Sequence, residues 1–217
     1  LAKKLIAIIG GGKYEQFQRQ LLDHLAVSET VLKNLFLFPT DGAAFYRFGV
    51  SDWELVYQES LSAEEKQKIM SAFEKTFTEL NYTHPPEIYG ELIEDRQGQI
   101  TFSALGQQAP LAQKEKWRVE NEGLRTKIGE TLQRYLPDFT VRLAGLTSID
   151  VTRGGIDKAY GLKQLEKYLG IAISDMLFVG DDLSVGGNDY PVIATGVESI
   201  RVSGPAETQA VIERLLQ

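Results

Sequence analysis

The chain contains no cysteine. Disulfides, a thiolate nucleophile and cysteine-ligated zinc are therefore excluded, and the composition fits a cytoplasmic, reducing compartment. Histidine is nearly absent too. Only His24 and His84 are present, far apart, which leaves little material for a histidine-based triad or a two-histidine metal site. Positive charge is in the minority, 23 Lys and Arg against 30 Asp and Glu for a net −7, with no basic cluster. A nucleic-acid partner is not expected from such a surface. Nor is a membrane partner, because no apolar run approaches the length of a span. An initiating methionine is missing, and the chain reads as opening in the middle of a fold. Lys3 and Lys4 precede the apolar run Leu5–Ile9, but that run is short and lacks a cleavage site. What is present is ordinary for a globular protein, 43% hydrophobic and 24% charged residues over 217 positions. That is enough for one large domain or two small ones.

The most informative stretch is Leu177-Phe178-Val179-Gly180-Asp181-Asp182, continuing through Ser184 to Gly186-Gly187-Asn188-Asp189. A short apolar strand delivers carboxylates to the end of a sheet, where open α/β folds bind their ligands. Oxygen donors without a nearby base suit a hard cation such as Mg²⁺, which is commonly shared with a phosphate. Asp181, Asp182, Asn188 and Asp189 are therefore the candidate metal residues. The plain alternative is a helix cap and a turn, since Asp, Ser and Asn serve both.

A second feature lies upstream. Gly154-Gly155-Ile156-Asp157 leads into Lys158 at the first turn of a predicted helix over 157–169. A lysine there can direct its ammonium at a phosphate held by the helix start. Alone it would be an ordinary surface lysine; one strand before Asp181 it becomes the candidate phosphate cation.

Patterning along the chain predicts a strand at 5–9, the turn Gly10-Gly11-Gly12, a helix over 13–25 and a buried strand at 35–38. Thr40-Asp41-Gly42 reads as a turn. Beyond it the character changes. Aromatic strands at 45–48 and 53–57 precede a helix opened by the capping box Ser62–Glu65. A hairpin turns at Arg96-Gln97-Gly98, a long helix covers 112–136, and strands follow at 139–143 and 148–152. The α/β style returns after Gly154 and closes with a helix over 205–216. A Rossmann-like core is thus interrupted by an α+β insertion.

The order of these features resembles the haloacid dehalogenase superfamily, in the branch with a large α/β cap. The closer resemblance is to the eukaryotic-type phosphomannomutases and their bacterial relatives. Gly10-Gly11-Gly12-Lys13 is similar to their second motif, Glu91–Gly98 to a cap hairpin with a substrate arginine, Thr147–Val151 to a cap strand, and Gly186–Asp189 to the metal loop. The fold implied is α/β, a three-layer Rossmann-like core with a parallel sheet over 1–45 and 148–217, and a cap over 46–147. The activity implied is Mg²⁺-dependent phosphatase or phosphotransferase chemistry on a sugar phosphate, through an aspartyl-phosphate. Lys158 would be catalytic. Gly10, Gly11, Gly12 and Lys158 would hold phosphate, and Arg96, Lys114, Ser148 and Asp150 would hold the sugar. A small-molecule sugar phosphate and a homodimer through the cap are the partners implied.

Three departures matter. The sequence has no Asp-x-Asp, so the nucleophile and its acid/base partner are expected on an N-terminal segment outside it. Gly10 stands where most of the superfamily has a Ser or Thr, which shifts phosphate binding to backbone N–H groups. Gln107 and Lys114 stand where the mutases place arginines, and fewer arginine forks favour a phosphatase over a mutase that must grip a bisphosphate. Phosphomannomutase proper and a non-catalytic sugar-phosphate binder are the alternatives.

Overall fold

The computed structural model describes residues 4–216. Leu1–Lys3, including the first lysine of the opening pair, and Gln217 lie outside the described residues. The chain divides into two compact units, Leu1–Tyr57 with Ile156–Gln217 (the core unit) and Gln58–Gly155 (the cap unit).

The core unit begins with β1 (Ile6–Ile9), an apolar run suited to a parallel sheet. After the glycine turn comes α1 (Tyr14–Gln20), opened by Gln16, whose side chain accepts the Lys13 N–H. The helix is shorter than its periodicity suggests. At Leu21 the backbone turns to φ −129°, and a single 3₁₀ turn, Leu22–His24, takes over. The short α2 (Glu29–Leu32) leads to β2 (Leu35–Phe38), parallel to β1 and buried at all four positions. Next come β3 (Ala44–Phe48), antiparallel to β2, and its sheet neighbour β4 (Trp53–Gln58). Their aromatic residues had suggested cap strands. Instead they complete the core sheet, because Phe45 stacks on Phe38 at 4.5 Å and Tyr46 on Tyr14 at 4.1 Å. The first boundary therefore falls at Tyr57 rather than near 46.

In the cap unit, Ser62 and Glu65 cap α3 (Ala63–Glu79) reciprocally. The hairpin is β5 (Ile93–Asp95) and β6 (Gln99–Ser103). The single helix expected over 112–136 is two, α4 (Leu111–Glu120) and α5 (Leu124–Tyr135). Gly123 adopts φ +77°, and the Asn121 side chain donates to Trp117 O, so the first helix ends there. Then follow β7 (Phe139–Ala144) and β8 (Ser148–Arg153), giving an antiparallel sheet in the order β5-β6-β8-β7. β8 lies inside this sheet, so the second boundary falls after Gly155 and not before Ser148. Alternation divides its residues. Ile149 and Val151 join the apolar cluster with Phe73, Phe102, Ile128 and Leu132, while Ser148, Asp150 and Thr152 occupy the other face.

The core unit resumes with α6 (Lys158–Leu169), capped by the Asp157 carboxylate on Tyr160 N–H at 3.0 Å. β9 (Leu177–Gly180) pairs in parallel with β10 (Glu198–Arg201), and α7 (Pro205–Leu216) closes the chain. The apolar pair Val192-Ile193 lies in a 3₁₀ helix, Tyr190–Thr195. The core strands form two sheets, β1-β2-β3-β4 and β9-β10. β1 and β9 are half-buried along their whole length, unlike β2. Among the described residues no helix is long and apolar enough to cross a membrane.

Candidate active site

Gly180 ends β9, and Asp181 and Asp182 follow it exposed. The chain then folds back on itself. Asp182 N–H donates to Asp189 Oδ2 at 3.0 Å, Asp189 N–H to Asp182 O at 3.2 Å, and Asn188 N–H to Asp182 Oδ2 at 3.2 Å. Gly180 is required by this closure, since a Cβ there would stand 2.5 Å from Asp189 Oδ2. The remaining Asp189 oxygen, Oδ1, accepts from Lys158 Nζ at 2.5 Å, with both side chains buried. A pair this deeply desolvated is costly to bury and costlier to break. It joins the start of α6 to the loop after β9, and it leaves two of the three ammonium hydrogens for other acceptors.

The candidate metal residues do not act alike. Both carboxylate oxygens of Asp189 are engaged by protein donors, and Asp182 binds its own loop, while Asp181 is exposed at the strand end. Among the described residues no three His, Cys, Asp or Glu side chains converge as a metal site. An all-oxygen set with one outward carboxylate fits Mg²⁺, which takes one or two carboxylates and completes its shell with water and phosphate.

The glycine turn is more committed than its sequence suggests. Gly10 N–H continues the strand pairing onto Phe38 O at 3.1 Å, and Lys13 N–H is taken by Gln16. The carbonyls of Gly12 and Gly10 accept from Thr40 N–H at 2.9 Å and Asp41 N–H at 3.0 Å. The sequence signal Pro39 to Gly42 identified a turn but not this lacing. Thr40, Asp41 and Gly42 all have positive φ, at 52°, 55° and 96°, and Thr40 and Asp41 are buried. Gly42 packs on α6, where a Cβ would meet Gly161 Cα at 2.9 Å.

The cap unit carries its own polar cluster. Arg96 is buried at the hairpin turn, with Nε on Glu94 Oε2 at 2.7 Å and Nη2 on Gln107 Oε1 at 3.0 Å. Lys114 reaches the same residue, donating to Gln107 O at 3.4 Å. Arg96 and Lys114 are thus brought together at Gln107. Asp150 lies elsewhere in the network. Its Oδ1 accepts from Thr101 Oγ1 at 2.7 Å, and Gln99 Nε2 donates to Thr101 at 2.8 Å. Register places Glu94, Thr101, Asp150 and Arg142 directly across the four strands. Ser148 is half-buried at the far end of β8, opposite Ser103. Glu94 and Thr101 are network members that sequence reading missed; only their alternation along β5 and β6 hinted at them.

The family model and the curated relatives agree on one family. The model of the eukaryotic phosphomannomutase family matches residues 2–217, and the chain belongs to that family, within the haloacid dehalogenase superfamily of enzymes. It is 30% identical to a phosphomannomutase of Saccharomyces cerevisiae over 88% of this chain and 72% of the yeast protein. It is 26% identical to a human phosphomannomutase over 87% of this chain and 70% of the human protein. Among solved structures, an IMP-bound IMP-nucleotidase mutant from Plasmodium falciparum shares the fold, with a TM-score of 0.70 at 18% identity. That match covers 99% of this chain, which spans 59% of the nucleotidase's length.

Proposed function

We propose that this member of the phosphomannomutase family serves Mg²⁺-dependent phosphoryl transfer from a sugar phosphate, by way of an aspartyl-phosphate. The observation that carries the reading is the buried Lys158–Asp189 pair beside the carboxylates at the end of β9. A preorganised ammonium stabilises charge that develops on a transferring phosphoryl group, and Asp189 holds it in place. Asp181 would hold the metal, with Asp182 and Asn188 shaping the loop around it. When bound, Mg²⁺ would supply further neutralisation of phosphate charge. No Asp-x-Asp occurs in the 217 residues, so the steps these residues account for are phosphate binding, orientation and charge compensation.

Arg96, Lys114, Ser148 and Asp150 are the groups proposed to read the sugar. In this role Arg96 is not a free cation, because Glu94 and Gln107 already occupy its fork. Gln107 Nε2 is buried without a hydrogen-bond partner, a neutral donor suited to a hydroxyl. This neutralised cluster favours an enzyme that hydrolyses a monophosphate over one that grips a bisphosphate. The family match supports the second reading, a phosphomannomutase.

The test assays the protein as encoded by its gene, with a hexose 6-phosphate and Mg²⁺. Release of inorganic phosphate without conversion to the 1-phosphate is expected. Interconversion that depends on a hexose bisphosphate would establish the mutase instead. Tight binding without turnover would leave a sugar-phosphate binder.

A further inference from the structure

Thr40 stands just beyond β2 with φ +52°, a conformation in which a β-branched residue is a genuine outlier. Its side chain is also buried, 2% exposed, and its Oγ1 meets no hydrogen-bond partner. One residue thus bears two separate penalties, a strained backbone and an unsatisfied hydroxyl. Were the segment only a turn, glycine would fit φ +52° without strain and leave nothing unpaired. Both penalties fall beside the glycine turn, since Thr40 N–H is bonded to Gly12 O. There the supply of donors is short. Gly10 N–H is spent on Phe38 O and Lys13 N–H on Gln16.

We propose that Thr40 Oγ1 donates to an oxygen of a phosphoryl group bound against Gly10–Gly12, supplying the hydroxyl that Gly10 lacks. The inference rests on the phosphoryl-transfer reading above and adds a binding residue to it. A phosphoryl oxygen is an acceptor only, and a charged one, so it matches a hydroxyl whose hydrogen has no other destination. The strained turn then has a purpose, which is to hold that hydroxyl at the carbonyl side of the glycine turn.

Thermodynamic signs make the test sharp. Thr40→Val keeps the branched shape and removes the hydroxyl. In the ligand-free protein it removes an unsatisfied group, so the thermal midpoint should hold or rise. Calorimetric titration with inorganic phosphate, and with a hexose 6-phosphate plus Mg²⁺, should show binding weakened about tenfold or more, as for a lost bond to a charged acceptor. Thr40→Ser should bind as the wild type does. Thr40→Gly, which also relieves the strain, should raise the midpoint while still losing affinity, and it serves if the valine variant does not fold. Wild-type affinity in the valine or glycine variant overturns the assignment alone. So does a midpoint that falls together with affinity, because the hydroxyl would then have a structural partner. If the wild type binds neither probe, the phosphoryl-transfer reading falls and takes this one with it.

Discussion

The cap unit and the core unit group their apolar residues in different ways. In the cap, one cluster runs from Ile69 and Phe73 through Phe102 to Ile128, Leu132 and Ile149, and Glu94, Thr101 and Asp150 line up across the other face of the sheet. In the core unit the apolar residues are split into three smaller clusters, and β1 and β9 are only half-buried. There a buried ion pair, Lys158–Asp189, lies in the same unit as a run of positive φ over Thr40–Gly42, whereas the buried pair of the cap, Arg96–Glu94, sits at a hairpin turn. The residues proposed to hold phosphate and metal all lie in the core unit, and the largest apolar cluster lies in the cap unit. The apolar cluster of the cap is one continuous body, and such packing tolerates little change. On the proposed reading, the strained Thr40 and the charged Lys158 of the core unit are groups that a bound phosphate would engage.

The comparison breaks most sharply at Lys158. Lys158→Met leaves Asp189 as an uncompensated buried carboxylate, which should destabilise the core unit by about 3–5 kcal/mol. Phosphoryl transfer should fall at least about tenfold, on the order of 1.4 kcal/mol in the barrier. The double variant with Asp189→Asn should recover part of the stability and none of the turnover. Denaturant unfolding with amide hydrogen exchange reads both units, and loss confined to the cap would contradict the division. Next is Leu132→Ala, which opens a cavity in the cap cluster and should cost about 2–5 kcal/mol. Its exchange signature should stay on α3, α5 and the cap strands; equal loosening of β1 and β2 would show that the two units do not unfold separately.

The smallest effect concerns pH. Arg153, through paired hydrogen bonds, and then Ser62 N–H lower the Glu65 pKa from 4.5 to about 2. A carboxylate held low contributes stability above its unfolded value and loses it as pH falls through the folded one. The stability gap between wild type and Glu65→Gln should therefore be level above about pH 5 and close between 4.5 and 2. The pair is partly exposed, so the gap should stay below about 1 kcal/mol and shrink in salt. A gap that widens in acid would remove Glu65 from the account.

Much of the architecture was legible because it is local. Leu177–Val179 read as a strand from its unbroken apolar run, Ser62 with Glu65 as a helix start, and Arg96-Gln97-Gly98 as a hairpin tip. Asp157 and Lys158 were placed at a helix start by the glycines before them. The break at Gly123 was not legible, since one glycine inside a helical stripe costs too little to end it without a tertiary partner. The assignment of β3 and β4 failed for a related reason. Aromatic strands look alike in any sheet, and only the stacking of Phe45 on Phe38 placed these two.

The sequence by itself determined the residue chemistry: carboxylates after a buried strand, no cysteine and two histidines far apart, and an insertion able to hold its own core. Tertiary structure alone decided which groups remain available. Lys158 and Asp189 are 31 residues apart, Arg96 and Gln107 eleven, and Thr101 and Asp150 49. Sequence separation carries no distance, and a hydrogen bond depends on distance and angle to within a few tenths of an ångström. Thr40 shows the limit most plainly. Pro39 and Gly42 announce a turn, but the hand of its backbone and the burial of its hydroxyl arise where β2, the glycine turn and α6 meet.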